Sequence, residues 1–529
     1  MRAGNKNLVL TAMVFAVAMM FIDQTIVVLA IPSLQREIKL SPTGAQWIVN
    51  GYLLSLSALF AFGGRIADLW GHRRTVIAGT AAFALFSALC GATPTGGIGA
   101  AWIILFRVLQ GASAAFLFPA ALAIVVGTYD ISERGKYLAI FFSISGALTS
   151  IGPIAGGYLT QWTWRAIFWI NLPVAAIAIV LTIIACPEQP PRRETLDLRG
   201  AVLVCAGMGA AVLGLQEASA WGWGSAATWA CLVAGVALLA GFVGWELRVE
   251  QPLVPIRLFA DRAFAVDNAV LFLISICFVP LFFFASLYAQ VGLGDTASNA
   301  GLLLLVFFGG FTIAAQWGGR ILDKRGARPT VVLGTAVGAV GFYLWGSKLP
   351  ALDFSKQWVF LALAGAGMGL TLGPVSTDAL NRSQSAAYGA VTGVTQTVRN
   401  FGGSLGLAVL GSILVTETTS KVVRTLGREG VPHRIAVRIA HEVSGASGTG
   451  SSGSRPSAGH AASSAAVHAV RLDFASATKV AVIGMAAAMA GAFVVAFLGM
   501  RRGSATAAEE AVDPEPPVDS APPAPAGSR

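Results

Sequence analysis

Apolar runs of about twenty residues alternate with short polar connections along most of the chain. A helix rising 1.5 Å per residue needs about 20 mostly apolar residues to cross a bilayer's hydrocarbon. Fourteen such runs can be read, at about 8–31, 46–66, 75–93, 98–127, 137–160, 166–186, 200–217, 226–246, 264–290, 298–318, 329–347, 357–380, 386–415 and 477–498. The first follows Arg2 and Lys6, as a signal-peptide core would, but it is too long for one and more spans follow. It reads as a retained first helix. The pattern predicts an all-α polytopic membrane protein with fourteen transmembrane helices.

Lys and Arg orient these spans. With the N-terminus inside, sixteen of them in the short connections fall on the cytoplasmic side and five on the other, as the positive-inside rule requires. An even number of spans returns the C-terminus to the cytoplasm, and a plasma-membrane location is expected. Two stretches break the pattern. Residues 416–476 form one long outer loop that begins charged and becomes Gly/Ser/Ala-rich, and residues 499–529 form an acidic, Pro-rich tail expected to be disordered.

Composition narrows the class. Only 12% of residues are charged and 55% are hydrophobic, with a mean hydropathy of +0.70, against about 25% charged in a typical soluble domain. A soluble multidomain chain, a disordered one and a secreted disulfide scaffold are excluded. The net charge of +10 is the bias of the cytoplasmic loops rather than a footprint for nucleic acid. Cys90, Cys186, Cys205, Cys231 and Cys277 all lie in apolar stretches without a pairing pattern. Four of the five histidines (His433, His441, His460, His468) lie in the long outer loop, where flexible, low-complexity chain is expected and no metal site. No P-loop is present, and no nucleophile–base set can be assembled, so neither ATP nor enzyme chemistry is expected.

One loop is duplicated. Gly64-Arg65-Ile66-Ala67-Asp68-Leu69-Trp70-Gly71-His72-Arg73 recurs as Gly319-Arg320-Ile321-Leu322-Asp323-Lys324-Arg325-Gly326-Ala327-Arg328, offset by 255, and Pro119 and Pro374 share that offset. Each copy joins a helix entering the cytoplasm to one leaving it. The chain therefore divides into a six-helix bundle at 1–186, two inserted helices at 187–262 and a second six-helix bundle at 263–498. Repeated halves with a substrate site between them are a signature of secondary transporters.

Several segments carry a family resemblance. Gly64–Arg74 resembles the loop motif G-x-L-A-D-R-x-G-R-K/R of the major facilitator superfamily, and Leu105–Gly111 (with Arg107 and Gln110) resembles its helix 4 motif. Ile151–Gly157 is similar to the helix 5 motif of its drug antiporters. Ile22–Val27 with Pro32 is similar to the helix 1 motif of the fourteen-helix drug:proton antiporter branch. Trp164-Arg165, Phe168, Asn171–Pro173 and Val398–Gly403 match further. Leu69 departs from the loop motif's Arg, Val28 from the helix 1 motif's Asn, and Ala362 stands at the repeat position of Arg107. The resemblance implies a proton-gradient-driven multidrug exporter without cofactor, whose partners are protons, lipid and an amphipathic small molecule, acting as a monomer.

The candidate site follows from charge at membrane depth. Asp23 lies ~22 Å along helix 1 from its inner end, where a carboxylate must pair or bind a proton. A cationic cargo and a proton would then exclude each other there. Arg107 is the matching buried cation, either tuning Asp23 or acting as a strut between helices. Arg399, Asp378 and Gln110 are candidate cavity residues, Arg399 with glycine-rich surroundings that suit a structural role. Asp68 and Asp323, next to Arg73 and Arg328, are expected to form a conformational latch, Asp68 pairing with Arg73, Arg134 or a helix N-terminus. Gly64, Gly71, Gly319 and Gly326 are expected to turn the chain. Gly152, Pro153, Gly156 and Gly157 either kink helix 5 or seal the cavity. Phe272, Phe278, Phe282, Phe283, Phe284, Phe307 and Phe308 either line an apolar cavity or face lipid. Rival readings are the same scaffold exporting a siderophore, lipid or self-made metabolite, and a non-transporting receptor.

Overall fold

The computed structural model describes all residues except 1–5, 130–136, 138–139, 142–143, 145–147, 150, 187, 189–195, 382–387, 445–463 and 502–529. The helices are α1 (Lys6–Ile38), α2 (Pro42–Trp70), α3 (His72–Gly91), α4 (Gly99–Thr128), α5 (Ile151–Trp162), α6 (Ala166–Ala185, with a turn at Ile170), α7 (Leu198–Trp221) and α8 (Ala226–Glu246). There follow α9 (Arg262–Leu287, prolonged by a π-helical turn, Tyr288–Leu293), α10 (Ala297–Arg325), α11 (Ala327–Lys348), α12 (Trp358–Asn381), α13 (Tyr388–Arg428), α14 (His433–Ser444) and α15 (Ser464–Gly499). No strand occurs among the described residues. Thirteen of these helices are long and apolar enough to cross a membrane. The expected span at 137–160 falls partly outside the described residues, and its longest described stretch is α5.

The duplication is written into the helix boundaries. With the offset of 255, the end of α1 at Ile38 corresponds to Leu293, where the turn prolonging α9 ends, and the start of α2 at Pro42 to Ala297. Ser41 caps α2 by accepting from Gly44 N, and its counterpart Thr296 caps α10 by accepting from Asn299 N, each satisfying an N–H the helix leaves free. Gly71 (φ 94°) and Gly326 (φ 79°) end the two helices in a backbone region that disfavours a Cβ. Gly64 and Gly319 lie inside α2 and α10 instead, so they do not turn the chain. A Cβ on Gly64 would meet Pro119 at an ordinary 3.6 Å, and one on Gly319 would meet nothing within 4 Å.

α1–α6 pack among themselves, as do α9–α13 with α15, and the two bundles meet through α2 on α13, α5 on α10 and α1 on α9. The inserted α7 packs on α8 and bridges the seam, touching both α2 and α13. α8 is peripheral. Trp229, Val233 and Val236 are 57%, 63% and 68% exposed, an apolar surface suited to lipid. Below, the end bearing the two repeated loops is the repeat face and the opposite end the far face.

The expected long outer loop is largely helical. α13 runs on to Arg428, and α14 returns against it, burying Ala436 and Ala440 on Val422 and Leu426. The charged residues that masked this segment, Arg434 and Arg438, lie on the other side of α14 from that apolar pair. His433 starts α14 and His468 lies in α15, while the His441 side chain and His460 lie outside the described residues, as does the expected tail from 502.

Gly71→Ala and Gly326→Ala should each destabilise the protein by roughly 1–2 kcal/mol, the cost of a Cβ in the left-handed region. Gly319→Ala should be neutral or stabilising by up to about 1 kcal/mol. Thermal unfolding in detergent reads the difference.

Candidate functional site

α1, α2 and α4 carry a closed polar cluster in the first bundle. Arg107 donates from Nη1 to Asp23 Oδ2 (2.6 Å) and to Gln110 Oε1 (2.8 Å), and from Nε to Ile48 O (2.8 Å). Gln110 Nε2 donates to Asp23 Oδ1 (3.1 Å), so both carboxylate oxygens are engaged. The Tyr52 ring lies 4.4 Å from the guanidinium carbon. Asp23 and Gln110 are 0% exposed and Arg107 and Tyr52 1%. α4 comes this close to α2 because Gly111 has no side chain, since a Cβ there would stand 2.2 Å from Tyr52 O. Arg107 therefore both pairs with Asp23 and straps α4 to α2, and the two expectations for it meet in one residue. Tyr52 and the Ile48 carbonyl were not legible as partners. Tyr52 lies eight residues before Phe60 in an apolar run and offers no charge to notice.

The same positions in the second bundle hold no charge. The offset places Phe278, Phe307, Ala362 and Gly365 where the first bundle has Asp23, Tyr52, Arg107 and Gln110. Phe278, Phe282, Phe307 and Phe308 are buried and packed on one another, with Phe282 stacked on Phe308 at 5.3 Å. These rings are buried against one another rather than turned to lipid, and they fill the space that the ion pair occupies in the other bundle. Arg399, on α13, lies 5.5 Å from the Phe278 ring centre and is half-buried. Asp378 and Asp267 are buried in α12 and α9.

On the far face the two bundles are closed. A Cβ on Gly157 of α5 would come within 2.8 Å of Ser298 Cα on α10, and one on Gly301 within 2.3 Å of Pro153 O. Gly152 and Gly156 give α5 the same intimacy with Thr25 and Ile26 of α1. The Gly-Pro segment is thus a double close-packing surface, joining α1 on one side and the other bundle on the next. Ser286 and Gln290 of α9 donate to the Val28 and Leu29 carbonyls of α1. Ser404 of α13 donates to Asn50 of α2, whose amide donates to Gln216 of the inserted α7. All three are 0% exposed. This three-way junction was missed, because neutral polar residues inside apolar runs carry no charge signal.

At the repeat face, Arg73 donates to Ile183 O at the end of α6 (2.9 Å) and faces Glu188 at 3.7 Å. Its repeat counterpart Arg328 donates to Phe497 O at the end of α15 (2.7 Å). Each arginine thus meets a free carbonyl at the negative end of the last helix in its own bundle. Asp68 lies 3.4 Å from His72 Nε2. Arg73 is turned away to α6, Arg134 lies outside the described residues, and so does the Asp323 side chain. The contacts shown by Arg73 and Arg328 bind each bundle to itself.

Residues 13–407 match the Major Facilitator Superfamily. The chain belongs to this superfamily. It is 34% identical to a tetracenomycin C resistance and export protein of Streptomyces glaucescens over 77% of this chain and 76% of that one. A cephamycin export protein of Amycolatopsis lactamdurans is 32% identical, covering 79% and 87%. A multidrug resistance protein of Mycobacterium tuberculosis is 30% identical, covering 80% and 79%. Among solved structures, a bacterial homologue of the human lysosomal transporter Spinster superposes with a TM-score of 0.59 at 15% identity, covering 93% of this chain and 97% of that one. A D-xylose–proton symporter does so with a TM-score of 0.57 at 12% identity, covering 82% and 96%. As a superfamily member the protein is a multi-pass membrane transporter, and its relatives export or resist antibiotics.

Removing one partner of a buried pair strands the other. Arg107→Met should destabilise the protein by about 3–5 kcal/mol. The double variant Asp23→Asn/Arg107→Met should recover most of that, read as thermal unfolding in detergent. Equal losses in both variants would mean that the pair is not what holds α1 to α4.

Proposed function

We propose that the protein is a proton-coupled antiporter that exports amphipathic drugs or antibiotics by alternating access, as a monomer in the plasma membrane with both termini in the cytoplasm. The observation that carries this reading is the Asp23–Arg107–Gln110 cluster, a titratable carboxylate held at membrane depth in a chain whose relatives are exporters. Protonating Asp23 cancels its charge, and Arg107 then loses its counter-ion. The pair can persist only while the proton is absent, so proton arrival favours the arrangement in which α1 and α4 separate. The close-packed far face supplies the other half of the cycle. Gly157 on Ser298 and Gly301 on Pro153 must part for cargo to leave, and they seal the pathway while the repeat face admits it. At the repeat face Asp68 and Asp323 change partners in the same motion, while Arg73 and Arg328 keep each bundle tied to itself.

The driving force is adequate. One charge crossing 100 mV provides about 2.3 kcal/mol and one pH unit about 1.36 kcal/mol. Exchange of one proton for a neutral cargo draws on both, whereas a monocationic cargo draws on the second alone.

In proteoliposomes with an imposed pH gradient, the wild type should move ethidium against its gradient. Asp23→Asn should lose the dependence on that gradient. Efflux that ignores the gradient in the wild type would end the coupling proposal, and Gly157→Leu should slow efflux at least tenfold by wedging the far face.

A further inference from the structure

Arg399 is a membrane-depth cation for which no described residue provides an anion. Its guanidinium makes no hydrogen bond or ion pair with any described residue. Neither Asp378 nor Asp267 comes within ion-pairing distance. Gln396, one turn earlier on the same helix face, is half-buried and its side-chain amide also makes no hydrogen bond. A structural strut would be tied to something, as Arg107 is tied to Asp23, Gln110 and Ile48 O.

The location is internal. The Phe278 ring under Arg399 also contacts Phe311 of α10 at 6.0 Å, so the guanidinium stands on a floor shared by α9, α10 and α13. α10 packs on α5 and α13 on α2, so the space between α10 and α13 faces the other bundle rather than lipid. The repeat adds an independent observation. Phe278 occupies the position of Asp23, and where the first bundle furnishes a carboxylate to its arginine, the second furnishes a ring.

An uncompensated arginine at this depth is costly, and a bound anion removes the cost. The geometry points to Arg399 and Gln396 as the recognition site for an acidic group on the cargo. The cargo class is an aromatic or otherwise flat amphipathic molecule bearing a carboxylate or an ionised phenol or enol. The guanidinium takes the two oxygens of a carboxylate in a planar fork, or the single oxygen of a phenolate or enolate through one N–H, with the amide of Gln396 as a second donor. This inference rests on the exporter reading and names its cargo as acidic.

The test uses the full chain in proteoliposomes under an imposed pH gradient, with carboxyfluorescein as acidic probe and ethidium as cationic probe. The wild type is expected to export carboxyfluorescein. Arg399→Gln should lower the ratio of carboxyfluorescein to ethidium efflux at least tenfold, and Gln396→Leu should lower it severalfold. Arg399→Lys, which keeps the charge without the fork, should fall between. Thermal unfolding of each variant controls for misfolding. An equal loss of both fluxes in Arg399→Gln would mark the residue as structural and overturn the inference, as would a wild type that moves ethidium alone. A wild type that moves neither probe would overturn the exporter reading itself, and this inference with it.

Discussion

An ionised group cannot remain in hydrocarbon without a partner, and the first bundle is organised around meeting that condition. The Asp23–Arg107 bond spans α1 and α4, Gln110 occupies the remaining carboxylate oxygen, and the Ile48 carbonyl draws the guanidinium onto α2. In this low-dielectric setting the pair's attraction is large, but so is the cost of desolvating it. Such a pair is a weak source of net stability and a strong determinant of arrangement. It also links proton occupancy to helix position, because neutralising one member strands the other.

The duplication separates scaffold from chemistry. The devices that set helix ends survive the offset of 255: the Ser41 and Thr296 caps, the Gly71 and Gly326 turns, and Arg73 and Arg328 on terminal carbonyls. These depend on backbone geometry, which both bundles must share to pack as they do. The polar cluster does not survive, and Phe278 and Phe307 fill the equivalent space. Two similar bundles therefore face each other with unlike interiors, one closed and internally neutral, the other presenting Arg399. The inserted α7 lies across the seam and holds Asn50 through Gln216, which makes the insertion part of the far-face closure rather than an appendage.

Most of the spans were legible because a twenty-residue apolar run is a large signal, and Asp23 and Arg107 because charge at depth is rare. What stayed hidden has a common physical cause. Arg73 and Arg328 bind carbonyl oxygens, which every residue possesses and no sequence distinguishes. Asn50, Gln216 and Ser404 are neutral, so an apolar run absorbs them unnoticed. The helical extension to Arg428 and the whole of α14 are amphipathic and charged, and outside the membrane such a pattern looks like a loop until its apolar face is seen to be covered. Glycines were legible by position but not by purpose: Gly71 and Gly326 turn the chain, whereas Gly157 and Gly301 let one backbone approach another.

The contrast between an arginine with its own anion and one without is open to direct chemical measurement. Membranes containing the protein can be treated with a membrane-permeant, arginine-selective dicarbonyl reagent and the modified peptides mapped by mass spectrometry. Arg399 should be modified and protected by carboxyfluorescein, while Arg107 should stay unmodified until Asp23→Asn releases it. Modification of Arg107 in the wild type as readily as Arg399, or an Arg399 inert to the reagent, would contradict the account.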